Sequence, residues 1–155
     1  MPDRYNIEAA SVDRASLRCE AILRSIPEWF GVEEATLGYI AAAARLPTWI
    51  ASLGPRDAGF ITISRHYDES AEIHCIAVHR DFHGMGAGTA LVRLAEELLR
   101  QQGVRYLQVK TLGPSRTNVE YARTLHFYLR RGFSRLEEIH GLWPGMPCLV
   151  LVKKL

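Results

Sequence analysis

What this chain has little of narrows it first. It has three cysteines, Cys19, Cys75 and Cys148, far apart and in no paired spacing. Such a set does not make a disulfide framework and reads as buried, reduced thiols of a cytoplasmic protein. Basic residues are not concentrated either. There are 19 Lys and Arg against 17 Asp and Glu, a net charge of +2, and no basic run exceeds the pairs Arg130-Arg131 and Lys153-Lys154. A protein held to nucleic acid by phosphate contacts would show a clustered basic face. No stretch approaches the roughly 18 apolar residues of a membrane span, and the opening MPDRYNIEAA lacks the apolar core of an export signal. There is no internal repeat, low-complexity tract or linker. With 155 residues, 48% of them hydrophobic, the chain is expected to form one domain over residues 1–155.

What is present alternates helical and strand periods. YNIEA (5–9) reads as a strand, and SVDRASLRCEAILRSI as a helix with Ser11 in the cap position. After the break PEWFG, a second helix runs to about Arg45. TWIASL (48–53), FITISRH (60–66) and the nearly apolar AEIHCIAVH (71–79) read as strands, with GPRDAG as a turn. A helix to about Gln102 buries Leu91, Leu94, Ala95, Leu98 and Leu99, and Gly103 ends it. VRYLQVKTL (104–112) is the next strand, so residues 71–112 spell strand, helix, strand, a crossover unit with parallel pairing. Thr117-x-x-Glu120 is a capping-box pattern ahead of EYARTLHFYLRR. FSRLEEIH is a strand, LWPGMP a loop and CLVLVKKL a final strand. The expected class is α+β: a mixed, mostly antiparallel sheet of six to seven strands, flanked by about four helices.

The most pointed stretch is HRDFHGMGAG (79–88), with glycines at Gly84, Gly86 and Gly88 just where a helix starts. It is not a P-loop, because the G-K-[ST] lysine is missing. It is not a dinucleotide fingerprint, because the residue three after Gly86 is Thr89. A helix N-terminus carries free N–H groups and a partial positive charge, and bare glycines let an anion reach them. The same glycines also suit close packing of strand and helix. The sequence leaves both readings open.

H-G-M-G-A-G after an apolar strand resembles the acetyl-CoA pyrophosphate motif of the GNAT N-acetyltransferase superfamily, [R/Q]-x-x-G-x-[G/A], with His83, Gly86 and Gly88 in its fixed positions. HFYLRRGF (126–133) resembles the family's aromatic pair followed by a glycine–aromatic turn. The family often has Asn seven residues before the tyrosine of that pair; here Tyr121 stands there. The resemblance covers about residues 71–155 and implies a GNAT-type fold with acetyl-CoA as co-substrate. It implies cofactor contacts at Ile76, Ala77, Val78, His83, Gly84, Met85, Gly86, Ala87, Gly88, Thr89, Tyr121 and Tyr128. Pantetheine would run between the 71–79 and 104–110 strands, and a backbone N–H within 76–78 would serve the thioester oxygen.

The implied reaction brings a neutral amine to a thioester, largely a matter of positioning. Tyr128 is the expected acid for the leaving thiolate, and Phe127 a core residue. Glu72 and His74 are the candidate bases. Strand alternation places them on one face together with Ile76 and Val78. The histidines show no metal-ligand spacing, so no metal is expected. For the acceptor, Trp29, Phe30 and Trp143 are candidates for an apolar wall, and Glu28, Glu33 and Glu34 for attracting a cationic amine. Lys110 and Arg116 are candidates for the adenosine phosphates. The expected activity is N-acetylation of a small-molecule amine. The alternatives are acetylation of a protein or peptide and a non-catalytic acyl-CoA sensor. No nucleic-acid or membrane partner is expected, and the resemblance is compatible with a homodimer.

Overall fold

The structure, a computed structural model, describes residues 4–155. In chain order the elements are β1 (Asn6–Ala9), α1 (Val12–Arg24), α2 (Glu33–Arg45), β2 (Thr48–Leu53), β3 (Arg56–Tyr67), β4 (Ser70–Val78), α3 (Ala87–Gln101), β5 (Tyr106–Leu112), α4 (Val119–Arg130), β6 (Ser134–Trp143) and β7 (Met146–Lys154). One 3-10 turn, Arg80–Phe82, lies between β4 and α3. The strands form one seven-stranded sheet in the order β1-β2-β3-β4-β5-β7-β6. Only β4 and β5 pair in parallel, joined through α3, as a strand–helix–strand crossover requires.

Two apolar layers clothe the sheet. On one face Leu91, Val92, Ala95 and Leu99 of α3 and Tyr128 of α4 meet Ile61, Ile63, Ile73, Leu107, Val109, Leu149 and Leu151. On the other, Ala15, Cys19, Ile22 and Leu23 of α1 meet Ile50, Phe60, Cys75 and Ala77. All three cysteines are free and buried. No helix is long and apolar enough to cross a membrane among the described residues.

The structure departs from the sequence reading in several places. β3 begins at Arg56, because Leu53 already pairs with Arg56 and the turn is only Gly54-Pro55. The LWPGMP segment is not a loop: Trp143 pairs with Met146, so Pro144-Gly145 is a two-residue hairpin that lengthens both strands. The cap of α4 is Asn118, whose side chain accepts from the Tyr121 amide at 3.0 Å, rather than Thr117.

The largest departure is inside β4. Thr62 pairs with Cys75 but Ile63 pairs with Ile73, so His74 is an extra residue, a bulge. The alternation slips by one there. Ala71 and Ile73 face the α3 side, and so do Ile76 and Val78, while Cys75 and Ala77 face α1. Glu72 and His74 therefore do not share a face with Ile76 and Val78. The bulge sends Glu72 toward Lys110 and His74 toward Tyr39 of α2.

Candidate active site

The bulge coincides with a fork. β4 and β5 pair over four residues, from Ser70–Tyr106 to Ile73–Val109. Beyond that, β5 stays with β7 as far as Leu112, and β4 stays with β3 as far as Val78. Past the fork, the backbone groups of β4 on its β5 side thus meet no strand. Bonded and non-bonded pairs alternate in an antiparallel ladder. His79 N donates to Ala58 O at 2.8 Å, so Ala77 and Cys75 also bond toward β3. Ile76 and Val78 turn their N–H and C=O groups into the gap, and Ala77 does not. Val78 O accepts a bond from His83 Nε2 at 2.8 Å; a carbonyl can only accept, so Nε2 carries the proton.

The glycine turn lies at the end of β4. Gly84 and Gly86 have φ of +74° and +86°, which side-chain-bearing residues rarely adopt, and a Cβ on either would meet nothing within 4 Å. Gly86 is the cap of α3 and supplies no side-chain oxygen, and the first intrahelical bond is Ala90 N to Gly86 O at 3.0 Å. The amides of Ala87, Gly88 and Thr89 thus have no intrahelical partner, at the positive end of a 15-residue helix. Gly88 has another task. A Cβ there would lie 3.3 Å from the Phe127 ring. The glycines differ: Gly84 and Gly86 take left-handed turns with open space beside them, and Gly88 admits an aromatic ring. Tyr5 pins the turn from below, donating from its hydroxyl to Met85 O at 3.0 Å.

Tyr128 is 3% exposed and packs edge-on against Phe133 and Phe127 at 5.5 and 5.4 Å. Burial pushes its phenol well above the ordinary tyrosine range, so it stays a proton donor. Tyr121 donates its hydroxyl to Trp29 O at 2.6 Å, and burial raises its pKa to about 12. Trp29 in turn donates Nε1 to Thr124 Oγ1 at 3.0 Å and stacks edge-on against His83 at 5.4 Å. Arg80 donates to Ser25 O at 2.9 Å and to Glu28. The Ser25–Phe30 segment is therefore a strap, tied to the glycine turn on one rim of the fork and to α4 on the other.

The candidate bases differ in surroundings. Glu72, 9% exposed, accepts from His66 Nε2 at 2.8 Å, Gln108 Nε2 at 3.1 Å and Lys110 Nζ at 3.0 and 3.1 Å. Burial alone would raise its pKa, but the His66 and Lys110 bonds outweigh burial and hold it below the usual carboxylate range. His74 packs against Tyr39 at 5.6 Å, and desolvation lowers its pKa, leaving a neutral imidazole near pH 7.

Several acceptor and phosphate candidates are committed elsewhere. Lys110 is bonded to Glu72, and Arg116 donates to Gly145 O at 3.3 Å. Glu28 is paired with Arg80 and Glu33 with Arg24, which neutralises them as lures for an ammonium group. Phe30 packs edge-on against Tyr39 at 5.7 Å, whereas Trp143 stands on β6, two strands from the fork. Sequence reasoning passed over Tyr39, His66 and Gln108, which no local spacing links to the bulge. No group of three or more His, Cys, Asp or Glu suited to a metal occurs among the described residues.

Known proteins carry the same architecture. A putative GNAT-family acetyltransferase from Desulfovibrio desulfuricans superposes with a TM-score of 0.78 at 19% identity, over 97% of this chain and 98% of that one. A GNAT-family acetyltransferase from Elizabethkingia anophelis, solved with acetyl-CoA bound, gives 0.76 at 16% identity over 99% of each chain. In sequence, an uncharacterized N-acetyltransferase of Methanocaldococcus jannaschii is 38% identical over 73 residues, a match spanning 47% of this chain and 30% of that protein. The profile of the acetyltransferase (GNAT) family matches residues 17–133. From the forked sheet, the glycine turn that starts α3 and this match across most of its length, the chain belongs to the acetyltransferase (GNAT) family, whose acetyl donor is acetyl-CoA.

Proposed function

We propose that the protein transfers the acetyl group of acetyl-CoA to the amine of a small molecule, by direct attack with both held in the fork between β4 and β5. The observation that carries this reading is the fork: two parallel strands that part after Ile73, with the Ile76 and Val78 amides turned into the gap. Acetyl-CoA would lie with its diphosphate on the amides at the start of α3 and its pantetheine along β4. An amide of Ile76 or Val78 would donate to the thioester oxygen as it gains charge.

As the N–C bond forms and the C–S bond breaks, the amine proton passes to His74, directly or through water. The departing thiolate takes the Tyr128 proton, and solvent restores both groups. His74 suits the first role because desolvation keeps it neutral. Glu72 suits a positioning role, because its oxygens are occupied by Lys110, His66 and Gln108. A small acceptor is favoured over a peptide by the Ser25–Phe30 strap, which is bound to both rims of the fork.

Incubation with labelled acetyl-CoA, a panel of primary amines and, separately, cell extract tests the reading. Label on small amines supports it. Label on proteins alone replaces the acceptor with a peptide, and tight CoA binding with no label anywhere makes the protein a sensor.

A further inference from the structure

We propose that Arg131 is the side-chain cation that holds the diphosphate of coenzyme A. The proposal rests on the acetyl-CoA site described above.

Arg131 follows the last residue of α4, yet its guanidinium reaches the first turn of α3. Nη1 donates to Thr89 Oγ1 at 2.6 Å, and the group lies 4.9 Å from the centroid of the Phe127 ring, which rests against Gly88. This is an awkward place for a positive charge. A helix N-terminus is itself positive, and a cation beside it is repelled unless an anion lies with them. Among the described residues no carboxylate pairs with Arg131, and its hydrogen-bond partner is a neutral hydroxyl. Two arginines beside the glycine turn are already matched: Arg56 with Asp81 at 2.6 Å, and Arg80 with Glu28. His83, where the family has Arg or Gln, spends its Nε2 on Val78 O. The turn's own side chains thus leave the diphosphate without a committed cation, and α4 supplies one.

The guanidinium is also held in place. The Arg131 carbonyl accepts from Lys153 Nζ at 2.6 Å, and Lys153 is paired at 2.8 Å with Glu96 of α3, which is 5% exposed. That ion pair ties the end of α4 to α3 and β7, so the reach to Thr89 does not depend on a free side chain. Arginine suits the task, because its planar fork can bond Thr89 and a phosphate oxygen together.

Calorimetric titration of CoA and of 3′-dephospho-CoA into the wild type, Arg131→Gln and Arg131→Lys tests this without an acceptor. Arg131→Gln is expected to weaken both ligands about tenfold or more, by a similar factor, because both keep the diphosphate. Arg131→Lys is expected to lie between, since it keeps charge and the packing on Phe127 but loses the fork. Unchanged affinity for both ligands in either variant overturns the proposal. A loss seen with CoA but not with 3′-dephospho-CoA also overturns it, by moving Arg131 to the 3′-phosphate. Should Arg131→Gln melt early, Arg131→Lys decides alone. A wild type that binds neither ligand removes the cofactor site itself, a separate failure.

Discussion

β4 has two neighbours and uses them differently. Along β3 it pairs at eight positions, from Tyr67–Ser70 to Gly59–Val78, with register shifts at His74 and at His66. Along β5 it pairs at four and then parts. The closed seam spends its backbone groups on the sheet, and its residues enter the two cores. The open seam leaves the Ile76 and Val78 groups without a strand, directed at whatever enters the gap. One strand can be scaffold on one edge and binding surface on the other, because antiparallel bonding alternates between its two sides.

Breaking the open side is expected to have the largest effect. Gly86→Glu puts a β-carbon at φ +86° and a negative charge where the diphosphate should lie. CoA affinity is expected to fall by about a hundredfold or more, some 3 kcal/mol. Calorimetry showing wild-type affinity in a folded variant would falsify the cradle. Tyr128→Phe removes the gap's buried donor while preserving the ring contacts with Phe127 and Phe133. Turnover is expected to drop about a hundredfold with KM for acetyl-CoA little changed; equal turnover retires the acid role.

His74, at the bulge itself, sharpens the comparison through pH. Burial lowers its pKa, so the neutral, proton-accepting form persists below the ordinary histidine value of 6.5. Activity is expected to hold through pH 6.5 and decline only on further acidification. In His74→Gln that acid limb should vanish, with turnover lowered about tenfold or more; a limb that survives the substitution points to another base. The smallest effect is expected from the closed side. A Cβ at Gly59 would stand 2.8 Å from Ala77 O, so Gly59→Ala forces β3 and β4 apart. The cost is expected to be about 1–3 kcal/mol in thermal or urea unfolding, while CoA titrates as in the wild type. A variant with full stability but weakened CoA binding would erase the division between the two seams.

Much of this was legible beforehand. β2 spans the residues its alternation indicates, Thr48–Leu53, and α1 to α4 fall within a few residues of their periodic patterns. The bulge was not legible, because AEIHCIAVH is apolar on both faces and a slip of one residue leaves no mark in such a run. The partners of charged residues were hidden for another reason. Lys110 is 38 residues from Glu72, and Trp29 is 95 from Thr124. Arg131 carries no mark in the sequence, because Thr89, which it bonds, is 42 residues away.

The sequence by itself determined what short-range sterics and periodicity can determine. Gly84 and Gly86 permit the left-handed turn that precedes α3, the apolar period fixes that helix, and the spacing of glycines and aromatics marks the family. Only the tertiary structure decided where β4 and β5 part, which carboxylates are already matched, and which cation reaches the first turn of α3. Those outcomes depend on contacts between residues far apart in the chain, whose energies exist only after the sheet has brought them together.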